Sequence, residues 1–92
     1  MSIVCRFAPA SLTAKQYDES VRRLTESGDF PPAGLDYHVA FKSGGHFRVS
    51  EIWDSSEQLD AFGKHLMPVL ADVGIELSGE PEKLEIHNII RR

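Results

Sequence analysis

Two helix-start signals organise this sequence. Thr13-Ala14-Lys15-Gln16 and Ser55-Ser56-Glu57-Gln58 each set a hydroxyl three residues before a glutamine. That is the capping-box spacing, which satisfies amide groups left free at a helix N-terminus. The segments around the two signals read as extended. Ile3 to Phe7 is a short β-compatible run. Leu35 to Lys42 and Phe47 to Asp54 are rich in β-branched and aromatic residues, and Leu84 to Ile90 closes the chain as a final strand. The order is therefore β-α-β-β-α-β. It matches the α+β ferredoxin-like split βαβ, a four-stranded antiparallel sheet with both helices on one face.

Local chemistry sets the expected boundaries. Ala14, Tyr17, Val21 and Leu24 recur at helical spacing, and Gly28 suits the left-handed residue just past a helix end, so the first helix is expected from about Ala14 to Ser27. In the second, Leu59, Phe62, Leu66, Val69, Leu70 and Val73 form the apolar stripe and Gly74 ends it. Pro68 has no amide to bond the Lys64 carbonyl, which predicts a kink, or a short helix followed by a second one that Pro68 opens. Ser43-Gly44-Gly45-His46 reads as a hairpin turn with two possible registers. A two-residue Gly44-Gly45 turn pairs Ser43 with His46 and puts His38 opposite Glu51, and Gly-Gly suits its positive φ angles. A three-residue loop pairs Phe41 with Phe47 and Tyr37 with Glu51, and sends His38 to the other face. The reading leans to the first.

At 92 residues the chain holds one domain, residues 1–92, with an adequate but thin core. Hydrophobic residues make up 41% and charged residues 26%, too balanced for an intrinsically disordered chain. The net charge of −4 with no basic run argues against a nucleic-acid partner. The single cysteine, Cys5, excludes an internal disulfide and points to a reducing, cytoplasmic setting. No apolar run reaches a membrane-spanning length, and the start Met1-Ser2-Ile3-Val4-Cys5-Arg6 has no signal-peptide pattern.

Helices on one side leave the other sheet face bare. Tyr37, Val39 and Phe41 share one face of their strand, and the alternate face carries His38 and Ala40 rather than a row of charges. Leu84, Ile86 and Ile90 fall on one face of the last strand, with His87 and Ile89 on the other. Strands apolar on both faces are buried on both faces. The expectation is a homodimer joined sheet to sheet.

Gln16-Tyr17-Asp18, Gly34-Leu35-Asp36-Tyr37-His38-Val39-Ala40, Phe47-Arg48-Val49-Ser50-Glu51-Ile52-Trp53-Asp54-Ser55, Leu66-Met67-Pro68-Val69-Leu70 and Ile86-His87-Asn88-Ile89-Ile90 together give the chain a family resemblance. It resembles, over nearly its whole length, the dimeric α/β-barrel proteins that include the antibiotic-biosynthesis monooxygenase-like group. The Glu-Ile-Trp-Asp-Ser stretch leading into a helix is the most distinctive piece. The resemblance implies that two protomers join sheets into a barrel, each able to hold a ligand between its own sheet and helices. Members include cofactor-free oxygenases acting on phenolic polyketides, haem-degrading enzymes, lactone isomerases and cyclases, so fold alone chooses no reaction. Several members carry a histidine on the second helix. Here Phe62 and Gly63 occupy that region and His65 comes late, which argues against haem ligation.

Against that background His38 and Glu51 form the leading candidate pair. A histidine beside a carboxylate is a general base whose tautomer the acid sets; the bland alternative is a self-satisfied polar pair at the dimer seam. Trp53 could stack on an aromatic ligand or serve as the largest core side chain. Tyr37 could donate a phenolic proton, and His87 could line a pocket or the barrel seam; for both the structural reading is packing. These three are the candidate substrate-binding residues. The expectation for the pocket is that Trp53, His38 and Glu51 border one cavity between sheet and helices. His65 should fringe solvent and His46 should lie exposed in its turn. The four histidines show no metal-ligand spacing, so no metal is expected, and no cofactor is implied. Cys5 on a central strand reads as inert packing.

Three function classes compete. The first is a small-molecule enzyme, a cofactor-independent monooxygenase or isomerase acting on a small aromatic or phenolic compound. The second is a non-catalytic ligand-binding or regulatory module. The third is RNA binding, which shares the element order but needs aromatics in a basic setting on the central strands. Here those strands carry Cys5, Phe7 and Glu51. An enclosed pocket holding a polar group beside Trp53 favours the enzyme, and a pocket filled by side chains favours a structural or binding role.

Overall fold

A computed structural model describes residues 2–92. The elements run β1 (Ile3–Phe7), α1 (Ala14–Glu26), β2 (Leu35–Ser43), β3 (His46–Trp53), α2 (Ser56–Val73) and β4 (Glu82–Glu85). The sheet order is β2-β3-β1-β4, with each neighbouring pair antiparallel. This is the ferredoxin-like α+β arrangement expected from the element order.

Both helices start where their caps place them. The Thr13 hydroxyl accepts from the Gln16 amide while the Gln16 side chain accepts from the Thr13 amide, closing a full capping box. Ser55 accepts from the Gln58 amide in the same way, but the Gln58 side chain instead accepts from the Ser55 hydroxyl. α2 ends on Gly74, whose φ of 86° is the left-handed conformation that glycine adopts without strain.

Of the two outcomes expected at Pro68, the division into two helices does not occur: α2 runs through it as one element. Pro68 and Lys64 are both exposed. The missing hydrogen bond therefore falls on an exposed side of α2, where water can serve the freed carbonyl.

The hairpin takes the two-residue turn. Ser43 pairs with His46 across Gly44 (φ 59°) and Gly45 (φ 82°), and His38 pairs with Glu51. A bulge at Asp36, between the Leu35–Trp53 and Tyr37–Ile52 pairs, adds one residue to β2. It lets Leu35 and His38, three apart, both face the helices. Gly34 feeds this bulge with φ 90°, and a Cβ there would run into the Gln58 side chain.

The core lies between sheet and helices. Cys5, Phe7, Val49 and Trp53 enter from the strands, Leu24 from α1, and Leu59 and Phe62 from α2. The opposite face is open. Tyr37, Ile52, Val4 and Leu84 form one row across all four strands on that face, and Tyr37 and Leu84 are 55% and 41% exposed.

The last strand is shorter than expected. β4 pairs only with β1, which begins at Ile3, the partner of Glu85. The ladder ends there, so Ile86 to Ile90 lie outside the sheet, and the Arg91 guanidinium meets the Asp36 carboxylate. Among the described residues no helix is long and apolar enough to cross a membrane.

Candidate functional site

One row of side chains crosses the helix-facing side of the sheet: His38 on β2, Glu51 on β3, Cys5 on β1 and Lys83 on β4. Its centre is dry. Glu51 is 3% exposed and Cys5 is fully buried. A buried carboxylate is costly unless each oxygen finds a donor. Glu51 finds two. Its Oε2 accepts from His38 Nδ1 at 2.6 Å, and its Oε1 accepts from Trp53 Nε1 at 3.0 Å. Trp53 stands two residues along the same strand, on the same face, so strand periodicity alone brings its indole to the carboxylate.

This arrangement sets the histidine's tautomer. The carboxylate accepts only, so Nδ1 carries a proton, and in the neutral ring Nε2 then presents a lone pair. The Tyr17 hydroxyl, reaching down from α1, donates to that lone pair at 2.7 Å. The result is a chain Tyr17–His38–Glu51–Trp53 in which each polar atom has a partner. Phe30 stands edge-on to the imidazole, with centroids 5.5 Å apart and planes at 80°, and so closes another side of the ring. Tyr17 stacks obliquely on it at 5.9 Å.

The charge of Glu51 is felt by its neighbours. The Cys5 thiol is pushed up to about 12, first by burial and then by Glu51, with Lys83 opposing weakly. The Tyr17 phenol is also raised, first by burial and then by the charges of Asp18 and Glu51. Both groups are therefore held in their protonated forms near neutrality.

A cavity of about 70 Å³ lies beside the chain, bordered by Tyr17, His38 and Glu51 and otherwise almost wholly by apolar side chains, among them Val21, Phe62 and Leu66. The polar atoms of Tyr17, His38 and Glu51 are turned on one another. Among the described residues, no lysine or arginine borders the cavity.

The sequence candidates are distributed as follows. His38 and Glu51 come together and border the cavity. Trp53 shares their face but does not border the cavity. It is fully buried behind Glu51, against Phe62, with centroids 5.6 Å apart. Tyr37 lies on the open face, because strand alternation sends it away from His38. His87 is exposed, beyond the end of β4. His46 is exposed in its turn, and His65 is exposed near Asp29 at 3.6 Å. Among the described residues, no group of three or more His, Cys, Asp or Glu is placed to hold a metal ion.

Sequence reasoning missed Tyr17 and Phe30. Tyr17 belongs to the apolar stripe of α1, and only its position over β2 reveals the hydroxyl's partner. Phe30 comes from the connection before β2. A polar-tipped aromatic in an otherwise aliphatic stripe was the available signal.

No protein-family profile matches the sequence, and no curated protein matches it significantly. Solved structures do match. A variant of SnoaB, a cofactor-independent oxygenase from Streptomyces nogalater, aligns with a TM-score of 0.64 at 11% identity, over 99% of this chain and 96% of that one. A candidate antibiotic biosynthesis monooxygenase from Caulobacter crescentus aligns at 0.58 with 16% identity, over 97% and 89% of the two chains. One from Chloroflexus aurantiacus aligns at 0.55 with 18% identity, over 96% and 94%. The chain has the ferredoxin-like fold of the antibiotic-biosynthesis monooxygenase-like proteins.

Proposed function

We propose that this chain binds a small aromatic or phenolic compound between its sheet and helices and removes a proton from it, as a cofactor-independent monooxygenase or isomerase. The observation that carries this reading is the Tyr17–His38–Glu51–Trp53 chain at the edge of an apolar cavity. A carboxylate-oriented imidazole is a general base, and a positioned base contributes about 10²–10⁴-fold in rate. Ionising a phenol or enol makes its ring or α-carbon electron-rich. Dioxygen can then act as oxidant: one oxygen atom enters at the para carbon, the other leaves as water with the phenolic and ring hydrogens, and a phenol becomes a quinone. An isomerase would return the same proton to carbon. The assignment of the oxygenase rather than the isomerase leans on the shared fold with SnoaB.

The cavity must widen to act. At about 70 Å³ it is smaller than the ~150 Å³ apolar cavity that takes up benzene, so ligand entry separates α1 from α2 or lifts the Pro9 and Leu77 segments that border it. A non-catalytic ligand-binding module is the second reading, favoured by that small, largely apolar lining.

The reading includes a homodimer. The row Tyr37–Ile52–Val4–Leu84 is an apolar band on an open sheet face, and a second copy is the partner that covers it. Light scattering at micromolar concentration should give twice the chain mass, and a monomer mass refutes the dimer.

The test of function is dioxygen uptake with phenol and 1-naphthol, each of which bears a hydrogen on the carbon para to its hydroxyl. The parent protein should accelerate uptake, and His38→Ala should lose about 10²–10⁴-fold. Equal rates in both refute His38 as the base. Saturable binding without turnover in the parent supports the binding module.

A further inference from the structure

We infer that Tyr17, rather than His38, is the residue a ligand's hydroxyl meets, and that Tyr17 relays the ligand's proton to His38 Nε2. The inference rests on the phenol-binding reading above and adds to it the residue in contact and the path of the proton.

The geometry leaves His38 no free base. Nδ1 is engaged by Glu51 at 2.6 Å, and Nε2 by the Tyr17 hydroxyl at 2.7 Å. Tyr17 covers the ring on one side and Phe30 stands edge-on to it. A ligand in the cavity reaches Nε2 only by displacing Tyr17 or by working through it. Working through it needs no displacement. A phenolic oxygen has two acceptor lone pairs, and Tyr17 uses its hydrogen, not those lone pairs, on His38.

The relay balances. The ligand O–H gives its proton to Tyr17 Oη as the Tyr17 hydrogen moves to Nε2. The ligand becomes an oxyanion that accepts a hydrogen bond from Tyr17. Tyr17 stays neutral throughout and accepts one from the imidazolium, whose charge is offset by the Glu51 carboxylate. The groups that face Tyr17 favour this order of events. Burial, Asp18 on its own helix and Glu51 across the sheet all disfavour tyrosinate, so Tyr17 cannot act as a pre-formed base. It accepts only while it gives.

The same surroundings select the ligand. Among the described residues no cationic side chain borders the cavity, so a carboxylate or phosphate would be desolvated without compensation. The ligand class is a neutral apolar frame with one weakly acidic hydroxyl, a phenol or an enol, that becomes an anion only after it is bound.

The test uses 4-nitrophenol, whose phenolate absorbs where the phenol does not, at a pH below its own pKa. Binding to the parent should raise the bound phenolate-to-phenol ratio by about tenfold or more, roughly one pKa unit or beyond. Tyr17→Phe should still bind it but leave the ratio as in free solution. A second measurement does not depend on that variant folding. With Tyr37→Phe, Tyr17 is the one tyrosine left of two; fluorotyrosine incorporated there is a stronger hydrogen-bond donor to the phenolate and should strengthen its band. A band in Tyr17→Phe equal to the parent's shows that His38 takes the proton unaided and overturns the relay. Saturable binding to the parent with no added phenolate also overturns it while leaving the binding reading intact. A band unmoved by fluorination counts against it equally. Absence of any saturable binding to the parent overturns the phenol-binding reading itself, and the relay with it.

Discussion

Trp53 is fully buried and gives its only polar hydrogen to a carboxylate that is 3% exposed. Replacing it by phenylalanine keeps an aromatic ring against Phe62 but removes that donor. Glu51 Oε1 then stays buried without its partner, at a cost of roughly 1–3 kcal/mol, and the smaller ring loses packing worth about 1–2 kcal/mol more. For a chain of 92 residues, each kcal/mol lowers Tm by roughly 4–8 °C, so Trp53→Phe should melt on the order of 15 °C lower. Packing and hydrogen bonding separate in a double-mutant cycle with Glu51→Leu, which removes the acceptor at similar volume. Once Glu51 is gone, Trp53→Phe should cost only its packing. Urea unfolding of the four proteins should therefore give a coupling of about 1.5–3 kcal/mol, the range for a hydrogen bond to a charged group. Costs that simply add, within about 0.5 kcal/mol, would show that Trp53 is core packing and does not hold Glu51 in place.

Further predictions concern positions around the site and on the surface. Pro68→Ala should stabilise the protein by about 2 kcal/mol, read by urea unfolding: it restores an amide to the middle of α2, less the unfolded-chain entropy that proline had removed; a loss of stability would contradict the account of that helix. The Glu19 carboxyl, hydrogen-bonded first by Arg22 and then by Arg23, is held down at about 2. With its folded value depressed, its contribution to stability is complete above the unfolded value of 4.5 and fades as pH falls towards about 2; an NMR titration midpoint near 4.5 would refute the pairing. The Cys5 thiol is raised from 9.0 to about 12, so the folded state keeps a proton that the unfolded state releases, and stability should fall as pH rises through that window. A disulfide reagent at pH 8 should therefore modify Cys5 only on unfolding, and rapid native-state labelling would count against its burial. On the open sheet face, Ile52→Glu should sediment as a monomer where the parent is expected to sediment as the proposed dimer, and a variant that still dimerises would place the interface elsewhere.

How much of the site was legible in the sequence depended on which interaction set each residue's place. Gly44-Gly45 decided the hairpin register through its backbone conformation, and with it the meeting of His38 and Glu51 across β2 and β3. The caps at Thr13 and Ser55 likewise located both helices. Such signals are local, and local chemistry can be read from a one-dimensional string. The bulge at Asp36 was not legible, because an alternation pattern does not announce where it slips by a residue. The length of β4 was not legible either. It is set by where β1 begins, a long-range fact, whereas the apolar run up to Ile90 reads locally as strand. Tyr17 looked like one more member of a helical stripe. Its role depends on the angle at which α1 crosses β2, which no spacing encodes. At Pro68 the local rule offered two outcomes, and the helix continues rather than dividing, at an exposed position where water can serve the freed carbonyl.

The central claim is that Glu51 sets the tautomer of His38 so that Nε2 is the base and Tyr17 its donor. Nitrogen-15 NMR of the imidazole tests it most directly, because the two ring nitrogens of a neutral histidine resonate far apart and each reports whether it carries hydrogen. The account predicts that neutral His38 is protonated on Nδ1 and bare on Nε2, and that Glu51→Leu erodes this preference. Neutral His38 protonated on Nε2, or a tautomer mixture indifferent to Glu51→Leu, would contradict it.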